Sequence, residues 1–318
     1  MNLKKTCGLV SLVLLLQGGI SADTLSVYFI GNSLTNDIPE PLSLMIQKAN
    51  TWVNIKRSIL QWGGSTLADH WQNRNAEQLI KTGQYDYVVI QESKHPAFFL
   101  QYDKPTRDNI ATWGKTYIDA IHSAGSEAIV YCTMGYRGDT AVANDSLIAV
   151  ETRVAENNNA ILAPVGAVAR QALLENPGLE LWSDGVHNNS LGIYLVSCVF
   201  FCVFTGESPV GSTFYGQGVY NASVTPEQAL WAQNMAWKVM STKYPKYLAW
   251  IKNKRNTAVR DSNRKDFSKT VKSTDGSSFH MFVSLGKSHG KPGVYFSTAQ
   301  KSDLDIKGRT LQLQMPTK

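Results

Sequence analysis

A serine and an Asp-x-x-His pair, far apart in the chain, could together perform acyl transfer. Ser33 stands in Gly-Asn-Ser-Leu-Thr, directly after a short apolar run, and Asp184 and His187 lie three residues apart before a long apolar run. A serine hydroxyl is an effective nucleophile only when a base accepts its proton, and a carboxylate can orient that base. Each piece alone is weak evidence, because Ser33 also fits a helix cap and the pair also fits a loop hydrogen bond.

The two pieces in this order resemble the SGNH/GDSL hydrolase family, whose members carry Gly-Asp-Ser-Leu or Gly-Asn-Ser-Leu after the first strand and Asp-x-x-His near the domain's end. The resemblance covers roughly residues 25–210. It implies a flavodoxin-like three-layer α/β/α fold with a parallel sheet and a triad of Ser33, His187 and Asp184. It also implies an oxyanion hole made of the Ser33 backbone N–H, a glycine N–H after the second strand and an amide after the third.

The glycine of that oxyanion hole is expected at Gly64, within Gln-Trp-Gly-Gly-Ser. A glycine lets the backbone approach the substrate closely, so that its N–H can point at a developing oxyanion. Gly63 is the competing position.

The third oxyanion donor departs from the family pattern. Family members usually carry Gly-x-Asn-Asp after the third strand, whereas this chain has Ile-Gln-Glu-Ser-Lys-His-Pro. Gln91 supplies the same amide donor as the missing asparagine, and the resemblance extends to esterase branches that use a glutamine with a nearby glutamate. Asn32 and Lys94 are the alternatives, and Glu92 could orient Gln91 or shape the pocket.

Several aromatic and polar residues near these motifs are candidates for binding substrate: Asn32, Trp62, His70, Trp71 and Trp182. Aromatic faces suit sugar rings, although packing in the core explains many tryptophans equally well. We therefore expect a carbohydrate esterase that removes O-acetyl groups from a glycan. A lipase or lysophospholipase of the same family is the alternative enzyme, and a non-catalytic glycan-binding protein is the alternative class.

Neither a metal nor a cofactor is expected. His70, His95 and His187 could be combined into a zinc site, but their spacing matches no zinc pattern and the cysteines do not cluster. No glycine-rich loop has the spacing of a phosphate-binding or dinucleotide-binding motif.

Alternating apolar runs and helical patterns indicate α/β architecture with a parallel sheet, which would bring the carboxyl ends of the strands to one edge. Strands are predicted at residues 25–30, 53–62, 85–90, 128–132 and 159–164. Helices are predicted at residues 38–48, 107–122, 165–174, 190–204 and 228–243, with a further helical pattern after Gly64.

The charge distribution separates a hydrolase domain, residues 23–247, from a small basic β-rich extension, residues 248–318. The last 74 residues carry 15 Lys/Arg and 5 Asp/Glu, whereas the overall net charge is only +6. A nucleic-acid partner is therefore not expected, because the main body is mildly acidic. The extension is expected to contain a linker at 252–272 and strands at 279–285, 293–297 and 307–315. It could bind an anionic polysaccharide or form a solvated surface.

Residues 1–22 have the pattern of a cleaved signal peptide, which predicts a secreted or periplasmic protein. Two lysines precede a short apolar run, and small residues follow it. An uncleaved anchor is the alternative, although the run is short for a membrane span. The three cysteines that would remain predict no disulfide framework.

Overall fold

The computed structural model describes residues 23–49, 51, 53–92, 104–219, 221–262, 267–272, 278–288, 291–300 and 310–311. The predicted signal peptide, Lys94 and His95 lie outside these residues. The chain divides into two compact units, Met1–Pro245 and Lys246–Lys318.

The first unit is built on a five-stranded parallel sheet with strand order β2-β1-β3-β4-β5. The strands are β1 (Asp23–Gly31), β2 (Val53–Gln61), β3 (Tyr87–Ile90), β4 (Glu127–Tyr131) and β5 (Ile161–Ala163). This is the flavodoxin-like order, and it confirms the predicted α/β class. All five predicted strands are present, with ends within two residues of the predicted ones.

Burial explains why the central strands read as continuous apolar runs. All four residues of β3 are buried, and Val27, Phe29 and Ile30 of β1 are 0% exposed. Strands covered on both faces need apolar side chains in both directions, which gives this pattern. In the edge strand β2, by contrast, only Val53 is buried, and the other residues are half-buried or exposed.

The helices of this unit are α1 (Ser33–Asn36), α2 (Pro39–Lys48), α3 (Leu67–Asn73), α4 (Ala76–Thr82), α5 (Lys104–Ser123), α6 (Ala141–Asn157), α7 (Val165–Glu175), α8 (Ser190–Thr205) and α9 (Pro226–Lys243). Helix α8 contacts α2, α7 and α9 in one layer, and α5 contacts α3, α4 and α6 in the other; α6 also contacts α7. The sheet lies between these two layers. Helix α8 is buried over almost its whole length, since it is apolar on every side.

Two of the longer helices were not expected from the sequence. Helix α6 carries many polar residues, but Ala143, Leu147, Val150 and Val154 form a buried stripe along it. Helix α10 (Pro245–Ser262) occupies part of the predicted linker, and its Leu248 and Ile251 are buried. The expectation of a linker at 252–272 is therefore corrected, because two apolar residues three apart and a proline at the first helical position favour a helix.

In the second unit a four-stranded antiparallel sheet has the order β6-β7-β8-β9. Its strands are β6 (Phe267–Lys272), β7 (Ser278–Ser288), β8 (Lys291–Gln300) and β9 (Thr310–Leu311). Strand β6 also falls within the predicted linker, because Ser268, Lys269 and Lys272 make the segment polar although Thr270 and Val271 favour a strand. Among the described residues, no helix has the length and hydropathy needed to span a membrane.

The strand order fixes where a ligand site would form. Strand β1 pairs with β2 on one side and with β3 on the other, so the connections leaving β1 and β2 run in opposite directions across the sheet. In open parallel sheets, ligands bind outside the carboxyl ends of the strands at such a switch point. The segments that follow β1, β2 and β3 all meet at this edge.

Candidate active site

Ser33 is held at the switch point by a short turn between β1 and α1. Asn32 caps α1, because its Oδ1 accepts a hydrogen bond from Leu34 N at 3.0 Å. Ser33 is the first helical residue, so its own N–H has no acceptor within the helix. Its side chain is half-buried. The turn therefore presents a hydroxyl and a backbone N–H from one residue at the sheet edge.

His187 and Asp184 meet Ser33 in a continuous hydrogen-bonded chain. His187 Nε2 lies 2.9 Å from Ser33 Oγ, and His187 Nδ1 lies 2.7 Å from Asp184 Oδ2. An ionised carboxylate only accepts hydrogen bonds, so Nδ1 must carry the proton that it shares with Asp184. Nε2 is then left as the acceptor for the Ser33 hydroxyl. The structure thus brings together the three residues whose types suggested a triad.

Asp184 is a strong acceptor despite its exposed position. Its Oδ1 accepts from the backbone N–H groups of His187, at 2.7 Å, and Val186, at 2.9 Å. These bonds, first the backbone bond from His187 and then the bond from its ring, hold the pKa of Asp184 well below its usual range. The carboxylate stays ionised at neutral pH and fixes the proton on Nδ1.

Trp182 anchors the loop that carries Asp184 and His187. The Trp182 indole donates to Gly135 O at 2.9 Å, and Trp182 pairs with Asn188 across the loop. Arg137 N donates to Gly185 O, while the Arg137 side chain donates to Trp182 O. Trp182 is only 6% exposed, which corrects the expectation that it offers a face to substrate.

The turn after β2 brings the two candidate oxyanion glycines to the same edge. Trp62 N donates to Gly31 O at 3.3 Å, and Ser65 closes the turn by donating from N and Oγ to Trp62 O. Gly63 and Gly64 lie between these anchors and are exposed. Only Gly64 has a left-handed φ, +69°, which favours glycine there over other residues. This asymmetry favours Gly64 over Gly63 as the position that requires a glycine.

Gln91 lies beneath the nucleophile turn rather than in front of it. Its Oε1 accepts from Asn32 N and Thr35 Oγ1, both at 2.9 Å, and its Nε2 donates to Glu92 O at 2.5 Å. The side chain is 0% exposed, so in this arrangement its amide cannot reach a substrate. This corrects the expectation for Gln91 as the third oxyanion donor. The alternative donor Lys94 lies outside the described residues.

The side chain of Asn32 also bonds only to other parts of the protein. Its side chain is 3% exposed, it caps α1 through Oδ1, and its Nδ2 donates to Ser65 O at 3.3 Å. This burial corrects the expectation that Asn32 binds substrate. The residue instead connects the nucleophile turn to the turn that carries Gly64.

Gly31 permits this packing because there is no room for a side chain. A Cβ at Gly31 would lie 2.4 Å from Thr35 Oγ1 and 2.6 Å from Gln91 Oε1. Such contacts are too close for real Cβ atoms, so a larger residue would displace the hydrogen bonds that hold the turn. The glycine of the Gly-Asn-Ser motif is thus explained by a steric requirement.

His70 ties the two turns together from inside the protein. Its Nε2 lies 2.9 Å from Gly31 O and 2.8 Å from Ser65 Oγ, and the side chain is 0% exposed. Burial lowers the pKa of His70 below its usual value, so the ring is neutral, and Nε2 must carry a hydrogen to bond the carbonyl of Gly31. The expectation that His70 binds substrate is therefore corrected.

The two remaining tryptophans differ in their surroundings. Trp71 packs edge-on against Tyr117, with ring centroids 4.9 Å apart, and also contacts Trp113. Trp62 is 41% exposed, and the guanidinium of Arg74 lies 3.8 Å from its ring centroid. Packing thus explains Trp71, whereas Trp62 is partly exposed beside the candidate oxyanion turn, with Arg74 over its ring.

A buried pair of carboxyl groups near the end of β3 was missed by the sequence reasoning. Glu92 and Glu151 line a small cavity of about 10 Å³ between β3, β4, α5 and α6. Burial, and secondarily the charge of Glu92, raises the pKa of Glu151 to about 8. The sequence contained a signal for a buried carboxyl group, because Glu151 lies on the apolar stripe of α6 with Leu147 and Val154.

The histidines considered for a zinc site belong to separate networks. His70 bonds the backbone of β1, whereas His187 bonds Ser33 and Asp184, and His95 lies outside the described residues. Within the part of the chain that the structure describes, no group of three or more His, Cys, Asp or Glu residues could hold a metal.

No family model and no curated protein matches the sequence. Solved structures that match include a protein assigned as an SGNH hydrolase from Slackia heliotrinireducens, with 24% identity, a TM-score of 0.45 and coverage of 56% of this chain and 98% of that one. An acetylxylan esterase from Geobacillus stearothermophilus matches with 17% identity, a TM-score of 0.45 and coverage of 56% and 94%. An alpha/beta hydrolase from the metagenome of Lake Arreo, Spain, matches with 16% identity, a TM-score of 0.44 and coverage of 57% and 96%. At these identities and scores the likeness assigns no activity, so any functional conclusion has to come from the site itself.

Proposed function

We propose that this protein is a serine esterase that hydrolyses O-acetyl groups on a carbohydrate by a Ser-His-Asp mechanism. The observation that carries the proposal is the unbroken chain from Asp184 through His187 to Ser33, with distances of 2.7 and 2.9 Å. It lies at the edge of a parallel sheet where such folds place their ligands. Nucleophile, base and orienting carboxylate in this geometry are the requirements for acyl transfer.

In the first half of the reaction, Ser33 Oγ attacks the carbonyl carbon of the ester. His187 Nε2 takes the hydroxyl proton, and Asp184 stabilises the resulting imidazolium through Nδ1. The tetrahedral intermediate then breaks its bond to the alcohol oxygen, which receives the proton from Nε2. The products of this half are an acyl-Ser33 ester and the free sugar hydroxyl.

Two backbone N–H groups can stabilise the oxyanion that forms in each half. The N–H of Ser33 has no acceptor within α1, and Gly64 stands in an exposed turn tied to the same strand end. Donors held in place before reaction stabilise developing charge without reorganising. Gln91 supports this arrangement indirectly, because it holds the N–H of Asn32 through its Oε1.

In the second half, a water molecule attacks the acyl-Ser33 carbonyl while His187 Nε2 accepts a proton from it. The second tetrahedral intermediate expels Ser33 Oγ, which takes the proton back from the imidazolium. Acetic acid leaves and loses its proton to water, and the enzyme returns to its starting state.

We infer that the chain is a member of the SGNH/GDSL hydrolases. Gly-Asn-Ser-Leu directly after β1, Asp-x-x-His directly before a late helix, and the strand order 2-1-3-4-5 support this inference. The departure lies at Gln91, whose buried place differs from that of an amide that contacts substrate.

A carbohydrate is the substrate class that fits the exposed surroundings best. Trp62 follows β2 directly and keeps 41% of its surface open. An aromatic face of this kind suits the C–H face of a sugar ring. We also propose that the protein is secreted or periplasmic after removal of residues 1–22. Its basic extension is proposed to bind an anionic polysaccharide through residues 248–318.

The test of the proposed activity is a release assay across acetylated glycans, 4-nitrophenyl acetate and long-chain acyl esters. The proposal predicts turnover of acetyl esters, with higher kcat/KM on a glycan than on 4-nitrophenyl acetate. A preference for long acyl chains would favour a lipase instead. Glycan binding without release of acetate would show that the fold serves binding alone.

A further inference from the structure

An arginine stacks on the exposed tryptophan beside the candidate oxyanion turn. The Arg74 guanidinium lies 3.8 Å from the Trp62 ring centroid, and both side chains reach the surface. A planar guanidinium stacked on an indole is held in one orientation, although it keeps its hydrogen-bond donors at the edge of the plane. The pair therefore presents a flat apolar surface and a fixed cation side by side.

The position of Trp62 is determined by the reacting edge of the sheet. Its N–H donates to Gly31 O, two residues before Ser33, and its carbonyl accepts both bonds from Ser65 that close the turn around Gly64. Trp62 is thus one backbone turn from the nucleophile loop and two residues from the candidate oxyanion glycine. A ligand that contacts Trp62 would lie at the same edge of the sheet as the reacting ester.

Arg74 is held by the same framework. It caps the C-terminus of α3, where its N–H donates to His70 O at 3.1 Å. His70 in turn is fixed by Gly31 and Ser65, so one buried ring sets the distance between the arginine and both turns. The pair is therefore anchored to the active site rather than to a separate surface loop.

The Arg74 guanidinium has no carboxylate partner among the described side chains. None of their carboxylates lies within 4.0 Å of its guanidinium, whereas Arg57, Arg137 and Arg170 each pair with an acid. The guanidinium fork matches a carboxylate with two parallel hydrogen bonds. A carboxylate on a ligand could therefore form the ion pair with Arg74 that the described side chains do not form.

We propose that Trp62 and Arg74 form a subsite for a carboxylate-bearing sugar, such as a uronic acid residue adjacent to the acylated sugar. The indole face would receive the C–H face of the ring, and the guanidinium would pair with its carboxylate. This proposal rests on the proposed esterase activity and adds to it the class of glycan. The natural substrate is then an acylated acidic polysaccharide rather than a neutral one.

The experiment compares acetate release from two forms of one substrate. One is an acetylated oligosaccharide that contains uronic acid residues, and the other is the same oligosaccharide with its carboxylates converted to neutral amides. We expect the wild type to have about three- to fivefold higher kcat/KM on the charged form, the size typical of an exposed charge pair. Raising the salt concentration to 0.5 M should reduce this ratio, because salt screens exposed charges.

Each variant is compared with the wild type by its ratio of kcat/KM on the charged form to kcat/KM on the neutral form. A general effect on turnover changes both values equally and leaves this ratio unchanged. Arg74→Gln should bring it to about one, and Arg74→Lys should keep part of it, because lysine retains the charge but not the fork. Trp62→Leu should lower kcat/KM on both forms by about two- to tenfold, as loss of an aromatic contact does. Arg153→Gln is the matched control, since Arg153 is exposed on α6, and it should leave the ratio at the wild-type value.

The outcomes separate the two proposals. A wild type that releases acetate from neither oligosaccharide nor from 4-nitrophenyl acetate contradicts the esterase activity, and the subsite with it. Equal rates on both forms by the wild type contradict the subsite alone. A ratio that survives Arg74→Gln, or that falls equally in Arg153→Gln, also overturns the role of Arg74.

Discussion

His187 Nε2 lies 2.9 Å from Ser33 Oγ, although 154 residues separate them in the chain. The two sides of this contact are built independently. Gln91 and Gly31 hold the serine turn, whereas Trp182 anchors the loop of the histidine to Gly135 O. Catalysis by this pair should therefore be sensitive to residues that never meet a substrate.

The first prediction concerns the carboxylate. Asp184→Asn should lower kcat by about 10²–10⁴-fold, because an amide can turn its NH₂ toward Nδ1 and favour the tautomer that cannot accept from Ser33. The fold should persist, since the amide oxygen can still accept from the two backbone N–H groups. Steady-state kinetics and circular dichroism check this. Retention of wild-type kcat would show that the 2.7 Å contact to His187 is not used in catalysis.

The low pKa of Asp184 adds a pH dependence with a defined sign. A depressed pKa means that Asp184 contributes stability above the pKa of the unfolded chain, about 3.9, and loses it as the pH falls through the lower folded value. Between pH 4 and 9 the carboxylate should therefore stay ionised. An acid titration of the folding stability should show this loss only below about pH 4, and Asp184→Asn should lack it.

The second prediction separates support from direct contact at Gln91. Gln91→Ala leaves the buried N–H of Asn32 without its acceptor, so we expect the free energy of unfolding to fall by about 1–3 kcal/mol along with kcat. Thr35→Val is the matched variant, because it removes the other donor to the same oxygen. It should produce a smaller loss of the same kind. A 10²–10³-fold loss of kcat at unchanged stability would restore Gln91 as an oxyanion donor.

The third prediction concerns Glu151, whose pKa is raised to about 8. Between pH 4.5 and pH 8 the unfolded chain releases a proton that the folded protein keeps, so folding stability falls as the pH rises. Glu151→Gln should remove this penalty. The variant should match the wild type near pH 4.5 and be more stable by about 2–4 kcal/mol at pH 8, or roughly 5–10 °C in Tm.

Thermal unfolding across this pH range checks the sign. Glu156→Gln is the control, because Glu156 is exposed on the same helix, and its difference from the wild type should stay small at every pH. A stability difference for Glu151→Gln that does not change with pH would mean that Glu151 does not titrate in this window.

The fourth prediction concerns the basic extension. A chain that ends at Ser262 keeps α10 complete and should hydrolyse 4-nitrophenyl acetate at close to the full-length rate. A chain that ends at Tyr247 keeps the first compact unit, Met1–Pro245, and should also fold and hydrolyse this ester. Aggregation of the chain ending at Ser262 would show that β6 to β9 are needed for folding.

The full-length protein and the chain ending at Ser262 also test the polysaccharide hypothesis. The full-length protein should be retained on an anionic polymer in a salt-dependent way, and the chain ending at Ser262 should be retained less. Equal retention of the two would contradict a binding role for the extension.

Much of this arrangement could be predicted from the sequence, for identifiable physical reasons. The strands were visible because burial on both faces requires continuous apolar runs, as in β3. Ser33, Asp184 and His187 were visible because each lies in a short local motif. Helix α6 was missed because only one stripe of it is apolar, and polar residues fill the rest.

The roles of the supporting residues could not be predicted in the same way. Gln91 was expected to contact substrate because its amide can donate to an oxyanion. The residue type does not determine whether a side chain at the end of a strand points toward the substrate or into the core. His70 contacts Gly31 across 39 residues, and Trp182 contacts Gly135 across 47. Such pairings depend on how the turns pack together, which local sequence patterns do not encode.

The most direct test of the account is to trap the nucleophile. A serine-directed phosphonate should label the wild type once per chain, and tandem mass spectrometry should place the adduct on Ser33. Ser33→Ala should lose both the label and several orders of magnitude of ester hydrolysis while keeping its fold, and adding His187→Ala to it should cost little more. An adduct at another residue, or wild-type turnover by Ser33→Ala, would contradict the proposed mechanism.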